Sequence, residues 1–364
     1  MKKLPLHEQH TSLGARFGEF AGYDMPLYYT KPLEEHHTVR TAAGLFDISH
    51  MGQFQLSGPQ AEDMLDYVLP NAVRTMADGD ALYSPMLRED GGILDDLIIY
   101  RHDSRRFHII VNGATKDKDL SWLQDIKTRF KADLVDSSED TCLLAVQGPR
   151  VFGLLAPHLG VNPGALPYYS FRETQAFGLP VFLARTGYTG EPGCELSVQR
   201  KLAPELWRQL IALGITPIGL AARDTLRLEA AMSLYGHELT EAWHPLETGL
   251  GWTVHMEDKG DYIGRIALRA IQANGFSYRL VGLELLGRGI AREGYLVQNR
   301  GAAVGHVTSG ALSPTLGKSI ALARIRVESA AVGTAVQVEI RGRPVEALVV
   351  KKPFYKNPAL KAQS

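Results

Sequence analysis

The hydrophobic pattern is densest over residues 93–100, where Gly91-Gly92 opens the run Ile93-Leu94-Asp95-Asp96-Leu97-Ile98-Ile99-Tyr100. Its Ile and Leu content reads as a buried β-strand, yet it carries two carboxylates. Side chains alternate along a strand, so Asp95 shares a face with Ile93, Leu97 and Ile99, and Asp96 shares the other with Leu94, Ile98 and Tyr100. The two acids therefore face apart, which argues against a dyad of the aspartic-protease or glycosidase kind. An ionised carboxylate among apolar side chains must be paired, hydrogen-bonded or open to a pocket. Either acid can be a structural bond to amides or an Arg, and either can be the acid of a ligand cleft.

The neighbouring pattern extends this reading. Residues 106–112 form a second strand, joined to the first through the polar 102–105 link as a hairpin, and residues 83–87 lead in through Arg88-Glu89-Asp90. Helical spacing predicts helices over 33–43 and 61–68, after Pro149, and over 223–232. The Gly- and aromatic-rich pieces 17–23 and 25–29 read as short irregular or extended segments. From about residue 280, short Val/Ile/Leu runs separated by Gly predict a compact all-β domain. The class is α+β.

At 364 residues, 45% hydrophobic and 22% charged, the chain can build two or three cores. With 39 basic and 40 acidic residues the formal net charge is −1, which excludes the broad basic footprint of a nucleic-acid binder. The opening residues have no apolar run of a secretory signal, and no segment approaches the ~20 apolar residues of a membrane helix. The two cysteines, Cys142 and Cys194, have no CxxC spacing and fit a reducing cytoplasm. Cys142 reads as a core thiol.

Among candidate chemistry, Gly187-Tyr188-Thr189-Gly190-Glu191 lacks the Gly-Lys-Ser/Thr ending of a phosphate loop. Glu195, entering the next strand, can grip an amidine-like edge through two parallel hydrogen bonds, or lie on a solvated face. Arg223 and Arg227 lie four apart on one helix face beside Asp224, either as a salt-bridge lattice or with a guanidinium on an anionic ligand. His36-His37, His50 and His237 have no metal-ligand spacing, and no metal is assigned. No nucleophile elbow occurs.

Glu8-Gln9-His10, Ala21-Gly22-Tyr23, Met25-Pro26-Leu27, Leu45-Phe46-Asp47-Ile48-Ser49-His50-Met51, the Gly91–Leu97 run, Val146-Gln147-Gly148-Pro149, the Gly187–Glu191 run, Ala222-Arg223-Asp224 with Leu226-Arg227-Leu228-Glu229-Ala230, and Thr308-Ser309-Gly310 with Ser313-Pro314 come in order. Together they resemble the glycine cleavage T-protein family, the aminomethyltransferases, from about residue 5 to residue 355. The resemblance implies a three-domain cloverleaf around a central folate cavity: 1–50 with 140–275, 51–139, and a C-terminal β-barrel domain over 276–364. It implies transfer of the methylene carbon from the aminomethyl-lipoyl arm of H protein to tetrahydrofolate as co-substrate, with release of ammonia. By the same resemblance Asp96 is the central acid, Glu195, Arg227 and Tyr188 contact folate, and Tyr83, Tyr100, Asn112, Tyr235 and Met51 line its site. A functional link to the P and L proteins and a cytoplasmic monomer without metal complete the expectation. Tyr23, Pro192 and Trp243-His244 depart from the family pattern, which bears on loop shape and the H-protein surface. Relatives that demethylate sarcosine or dimethylglycine, or that serve iron–sulfur assembly, are the rival readings. This chain lacks a dinucleotide fingerprint and the latter group's cysteine motif.

Overall fold

The structure is a computed structural model that describes residues 1–358. The 93–100 alternation forms the strand Ile93–Asp103, which pairs antiparallel with Ala81–Leu87 on one side and Arg106–Val111 on the other. Gly52–Ser57 and Asp133–Asp136 complete this five-stranded sheet. One face carries Leu97, Ile99, Phe107 and Phe54 against Met64 and Leu65 of helix Ala61–Val68 and Leu123 of helix Lys116–Lys127. Each such side chain contributes roughly 1.5–3 kcal/mol by leaving water. On the other face Ile98, Tyr100 and Ile110 meet Phe46, Ala145, Phe171 and Leu226, forming an apolar seam with the next sheet.

That second sheet has six strands in the order Phe171–Ala176, Leu179–Ala184, Gly193–Gln199, Thr141–Gln147, Gly44–Asp47 and Thr216–Pro217. Cys142 and Cys194 lie in its core with Leu45, Leu144, Leu196 and Trp207, and burial pushes both thiols up to about 12. The core-thiol reading of Cys142 therefore holds. The pieces expected as irregular or extended at the N-terminus are Arg16–Phe20 and Tyr23–Tyr28, which pair with each other and with Lys2–Lys3. A short helix, His7–Ser12, precedes them and was not foreseen.

The C-terminal segment closes into a six-stranded barrel: Tyr278–Leu285, Lys318–Arg326, Ala302–Ser313, Leu296–Asn299, Ala335–Ile340 and Arg343–Val350. A bulge at Thr308, between the pairs Val307–Ala323 and Ser309–Leu322, re-aims the strand. It turns Thr308 Oγ1 onto Glu238 (2.6 Å) and Ser309 Oγ onto Arg227 (2.8 Å). The fold is thus α+β with a C-terminal barrel. Among the described residues no helix is long and apolar enough to cross a membrane.

The helix expected over 223–232 runs instead over Leu220–Glu229. Gly219 precedes it in an extended conformation, and Ala231 at φ 54° ends it. The Gly-Gly turn before the Asp strand is also explained: a Cβ on Gly92 would stand 2.1 Å from the Glu241 carbonyl oxygen, because the segment through Trp243 crosses there and accepts from Ile93 N at 2.9 Å.

Candidate active site

Alternation places the two strand acids as expected, but one side chain reaches both. Asn112, just past Arg106–Val111, donates from Nδ2 to Asp95 Oδ1 (2.8 Å) and to Asp96 Oδ1 (2.9 Å). Tyr83, on the neighbouring strand, donates its hydroxyl to Asp96 Oδ2 at 2.8 Å. Asp96 is only half-buried, whereas Asp95 is fully buried on the opposite face. Burial and the nearby Asp95 charge raise Asp96 to about 7, against the opposing hydrogen bonds of Tyr83 and Asn112. An acid in that range exchanges protons in both directions near neutral pH.

Asp96 opens toward the six-stranded sheet. The hydroxyls of Tyr169 and Tyr188 lie in its field and in that of Glu195 or Arg223, so residues from both sheets share one concavity. Asp96, Tyr83, Tyr188, Glu195 and Arg223 are each partly exposed although protein surrounds them closely enough for burial to dominate their titration. That combination is the mark of a lined hollow.

Glu195 enters its strand immediately after the Gly-rich loop. Thr186 Oγ1 donates to its Oε2 at 2.6 Å, and Tyr100 OH lies 3.4 Å from the same Thr186 hydroxyl. Burial raises the Glu195 carboxyl above its ordinary value; Thr186 and the Arg223 charge oppose the shift. Within the loop Gln147 fills the space beside Gly187, its Oε1 standing 2.1 Å from where a Gly187 Cβ would be, and it donates to Thr186 O at 3.1 Å and accepts from Thr189 Oγ1 at 3.1 Å.

The two arginines of the helix differ in their contacts. Arg227 is buried and committed to protein: Glu238 Oε2 (2.8 Å), Asp224 Oδ1 (2.8 Å), Ser309 Oγ (2.8 Å) and Met232 O (3.3 Å). With its donors held there, it anchors helix to barrel. The Arg223 guanidinium lies 4.4 Å over the Tyr188 ring, and among the described residues it makes no hydrogen bond or ion pair. Burial pulls it below its ordinary value. The i, i+4 spacing raised both arginines as candidates, but only the contacts distinguish them.

The remaining expected residues are distributed as follows. Tyr188 anchors through its hydroxyl on Ser233 O. Met51 packs in the seam with Phe46, Ile98 and Tyr169. Tyr100 is buried against Phe182 (5.0 Å) and Phe171 (5.7 Å), so it supports Thr186 and Glu195 from behind and is not part of the exposed lining. Tyr235 is partly exposed, its hydroxyl bonded to Ile93 O (3.2 Å) and Lys118 Nζ (3.0 Å). Among the described residues no cluster of three or more His, Cys, Asp or Glu is arranged to hold a metal ion.

A hollow bearing a near-neutral acid at the junction of two sheets, beside a helix bolted to a barrel, equips an enzyme of mixed α/β build for proton exchange with a bound ligand. Residues 6–258 match the GCVT N-terminal domain and residues 279–356 the glycine cleavage T-protein C-terminal barrel domain. The aminomethyltransferase of Synechococcus elongatus is 49% identical over 356 residues, 97% of this chain and 95% of that protein. That of Symbiobacterium thermophilum is 44% identical over 368 residues, 98% of each. The crystal structure of glycine cleavage system aminomethyltransferase T from Bartonella henselae superposes with a TM-score of 0.92 at 35% identity, covering 98% of both chains. The chain belongs to the glycine cleavage T-protein family, and its activity is aminomethyl transfer in the glycine cleavage system.

Proposed function

We propose that this chain takes the methylene carbon from the aminomethyl-lipoyl arm of H protein and gives it to tetrahydrofolate, yielding ammonia, 5,10-methylenetetrahydrofolate and dihydrolipoyl H protein. The observation that carries this reading is Asp96, raised to about 7 and held by Tyr83 and Asn112 at the edge of the hollow. Tetrahydrofolate, the family's co-substrate, supplies the nitrogens N5 and N10 that take the carbon. Asp96 orients them, balances cationic character on the methylene carbon and relays a proton, work that a low-dielectric hollow strengthens. Glu195 keeps lone pairs free beside its Thr186 bond and accepts the pterin's 2-amino and N3–H donors in parallel. Arg223, on Tyr188, supplies a cation that opposes the upward pull of burial on Glu195 and faces the ligand. Arg227 holds the helix that presents Arg223. Positioning two reactants in one hollow supplies several kcal/mol more.

The sheets and barrel support a division into 1–50 with 140–275, 51–139 and 276–364, of which 359–364 lie outside the described residues. The buried free thiols support a reducing, cytoplasmic setting. Partnership with lipoylated H protein and the functional link to P and L proteins follow from the family reading, and a monomer is the default state. The test is ammonia release and methylenetetrahydrofolate formation from aminomethylated H protein and tetrahydrofolate. Asp96→Asn should keep folate binding and lose turnover by on the order of a hundredfold or more. Undiminished turnover in that variant overturns the reading.

A further inference from the structure

Behind Asp96, on the far face of its strand, lies a set of acids to which the transfer reaction gives no work. Asp95 is fully buried and accepts from Asn112 Nδ2 (2.8 Å), Asn112 N (3.3 Å) and Thr115 Oγ1 (2.8 Å). Asp119 sits one helical turn beyond Thr115, whose carbonyl accepts its backbone N–H at 2.9 Å. Its side chain is also fully buried, and neither carboxyl oxygen has a hydrogen-bond partner.

An ionised carboxylate left in that state is untenable. Two carboxylates that face one another cannot bond until one of them gains a proton, because both are acceptors only. Burial, then Asp95, push Asp119 up to about 10, against the weaker pull of Lys118 and Thr115. The Lys118 ammonium is already engaged by Leu94 O, Tyr235 OH and Glu241 Oε1.

We propose that Asp95 and Asp119 share one proton at neutral pH, and that the single negative charge of the pair, coupled to Asp96 through the Asn112 amide, sets how readily Asp96 takes and releases its proton. The inference rests on Asp96 being the acid of the reaction. Asp95 and Asp119 act as positioning residues, since neither reaches the hollow. The coupling has a geometric basis: Asn112 Nδ2 has two hydrogens and three acceptors, Asp95 Oδ1, Asp96 Oδ1 and Asp96 O at 3.1 Å. Whatever changes the charge on Asp95 therefore redistributes the amide's bonds to Asp96. The other titratable groups around the set are Tyr83, Tyr169 and Tyr188 beside Asp96, with Lys118 and Tyr235 beside the pair.

Two measurements test this on the full chain. Isotope-edited infrared spectra of Asp96→Asn, recorded one pH unit above neutrality, should retain a carboxylic-acid C=O band that disappears when Asp119→Asn is added, because the new amide donates to Asp95 in place of the shared proton. Absence of that band, or its persistence in the double variant, overturns the shared proton. In the second measurement, Asp95→Asn combined with Asp119→Asn removes the pair's charge at nearly constant shape, and the acid limb of kcat/KM should move down by about one pH unit. An unmoved limb in a folded double variant overturns the coupling. Turnover surviving in Asp96→Asn instead faults the assignment of Asp96, and the infrared band, which needs no activity, then decides the pair.

Discussion

Replacing Tyr83 by Phe removes one hydroxyl and little else. The ring keeps its stacked position 6.3 Å from Trp252, and the backbone carbonyl that accepts from Asn71 Nδ2 at 2.8 Å is untouched. What is lost is the 2.8 Å bond to Asp96 Oδ2. That hydroxyl donates to the ionised carboxylate, so it favours the charged form, and its removal raises the Asp96 pKa. A hydrogen bond to a charged group is worth about 1.5–3 kcal/mol, which corresponds to a rise of about one to two pH units. Asp96 begins at about 7, half ionised at neutrality. A rise of about one unit leaves roughly a tenth ionised there, so kcat/KM should fall about fivefold at neutral pH and recover by about pH 9. The assay is the pH profile of kcat/KM for tetrahydrofolate with aminomethylated H protein in excess. A loss of equal size at every pH, or an acid limb displaced to lower pH, refutes the argument that Tyr83 acts through the ionisation of Asp96.

Asp96→Asn should also stabilise the fold in a pH-dependent way. The folded carboxyl at about 7 stands above the ordinary 3.8, so its stability contribution is complete below about 3.8 and is lost as pH rises through about 7. The variant's advantage in urea unfolding should therefore grow from near zero at about pH 4 to at most about 4 kcal/mol at about pH 8. Arg40→Met strips the guanidinium from Glu191 (2.9 Å) and Glu229 (2.7 Å), both fully buried in their side chains. Two buried carboxylates that lose their shared guanidinium and keep only their remaining donors should cost about 3–5 kcal/mol in the same measurement, and a loss below about 1 kcal/mol would contradict the structure. Glu229 itself stands at about 2: burial pushes it up, but His36, Ser313 and Arg40 outweigh burial. Its contribution, about 3 kcal/mol, should be complete above about pH 4.5 and vanish as pH falls through about 2, read as an acid unfolding limb that Glu229→Gln lacks. Arg223→Gln should weaken tetrahydrofolate binding by about tenfold or more in calorimetry with only a small fall in melting temperature, since among the described residues its guanidinium has the Tyr188 ring contact to lose and no hydrogen bond or ion pair.

What the sequence made legible follows from periodicity. Strand alternation separates Asp95 from Asp96 with no further information, and the structure keeps them on opposite faces. The choice between them came from family resemblance, because a period of two says which side chains share a face and nothing about what that face meets. The helix of Arg223 and Arg227 shows the same limit. Their spacing declares a common stripe, but the partners that hold Arg227, Glu238 and Ser309, arrive from a turn 11 residues on and from a barrel bulge 82 residues on. The helix's end at Glu229 depends on Ala231 adopting a positive φ of 54°, a conformation a non-glycine residue takes only when its surroundings impose it.

Asp119 is the instructive miss. Lys116-Asp117-Lys118-Asp119 looks like a solvated charge run, and charge alone gives no reason to single out its last member. Helical spacing does: Asp119 lies four residues before Leu123, which is fully buried, and three after Lys116, which is partly exposed. A carboxylate at the position where the apolar stripe begins must face the sheet, and the sheet strand it faces carries Asp95. The acid that reaches the hollow is therefore backed by two that do not. Read together, the strand period and the helix period place all three carboxylates in one cross-section of the domain, and burial then determines which of them can carry charge at neutral pH.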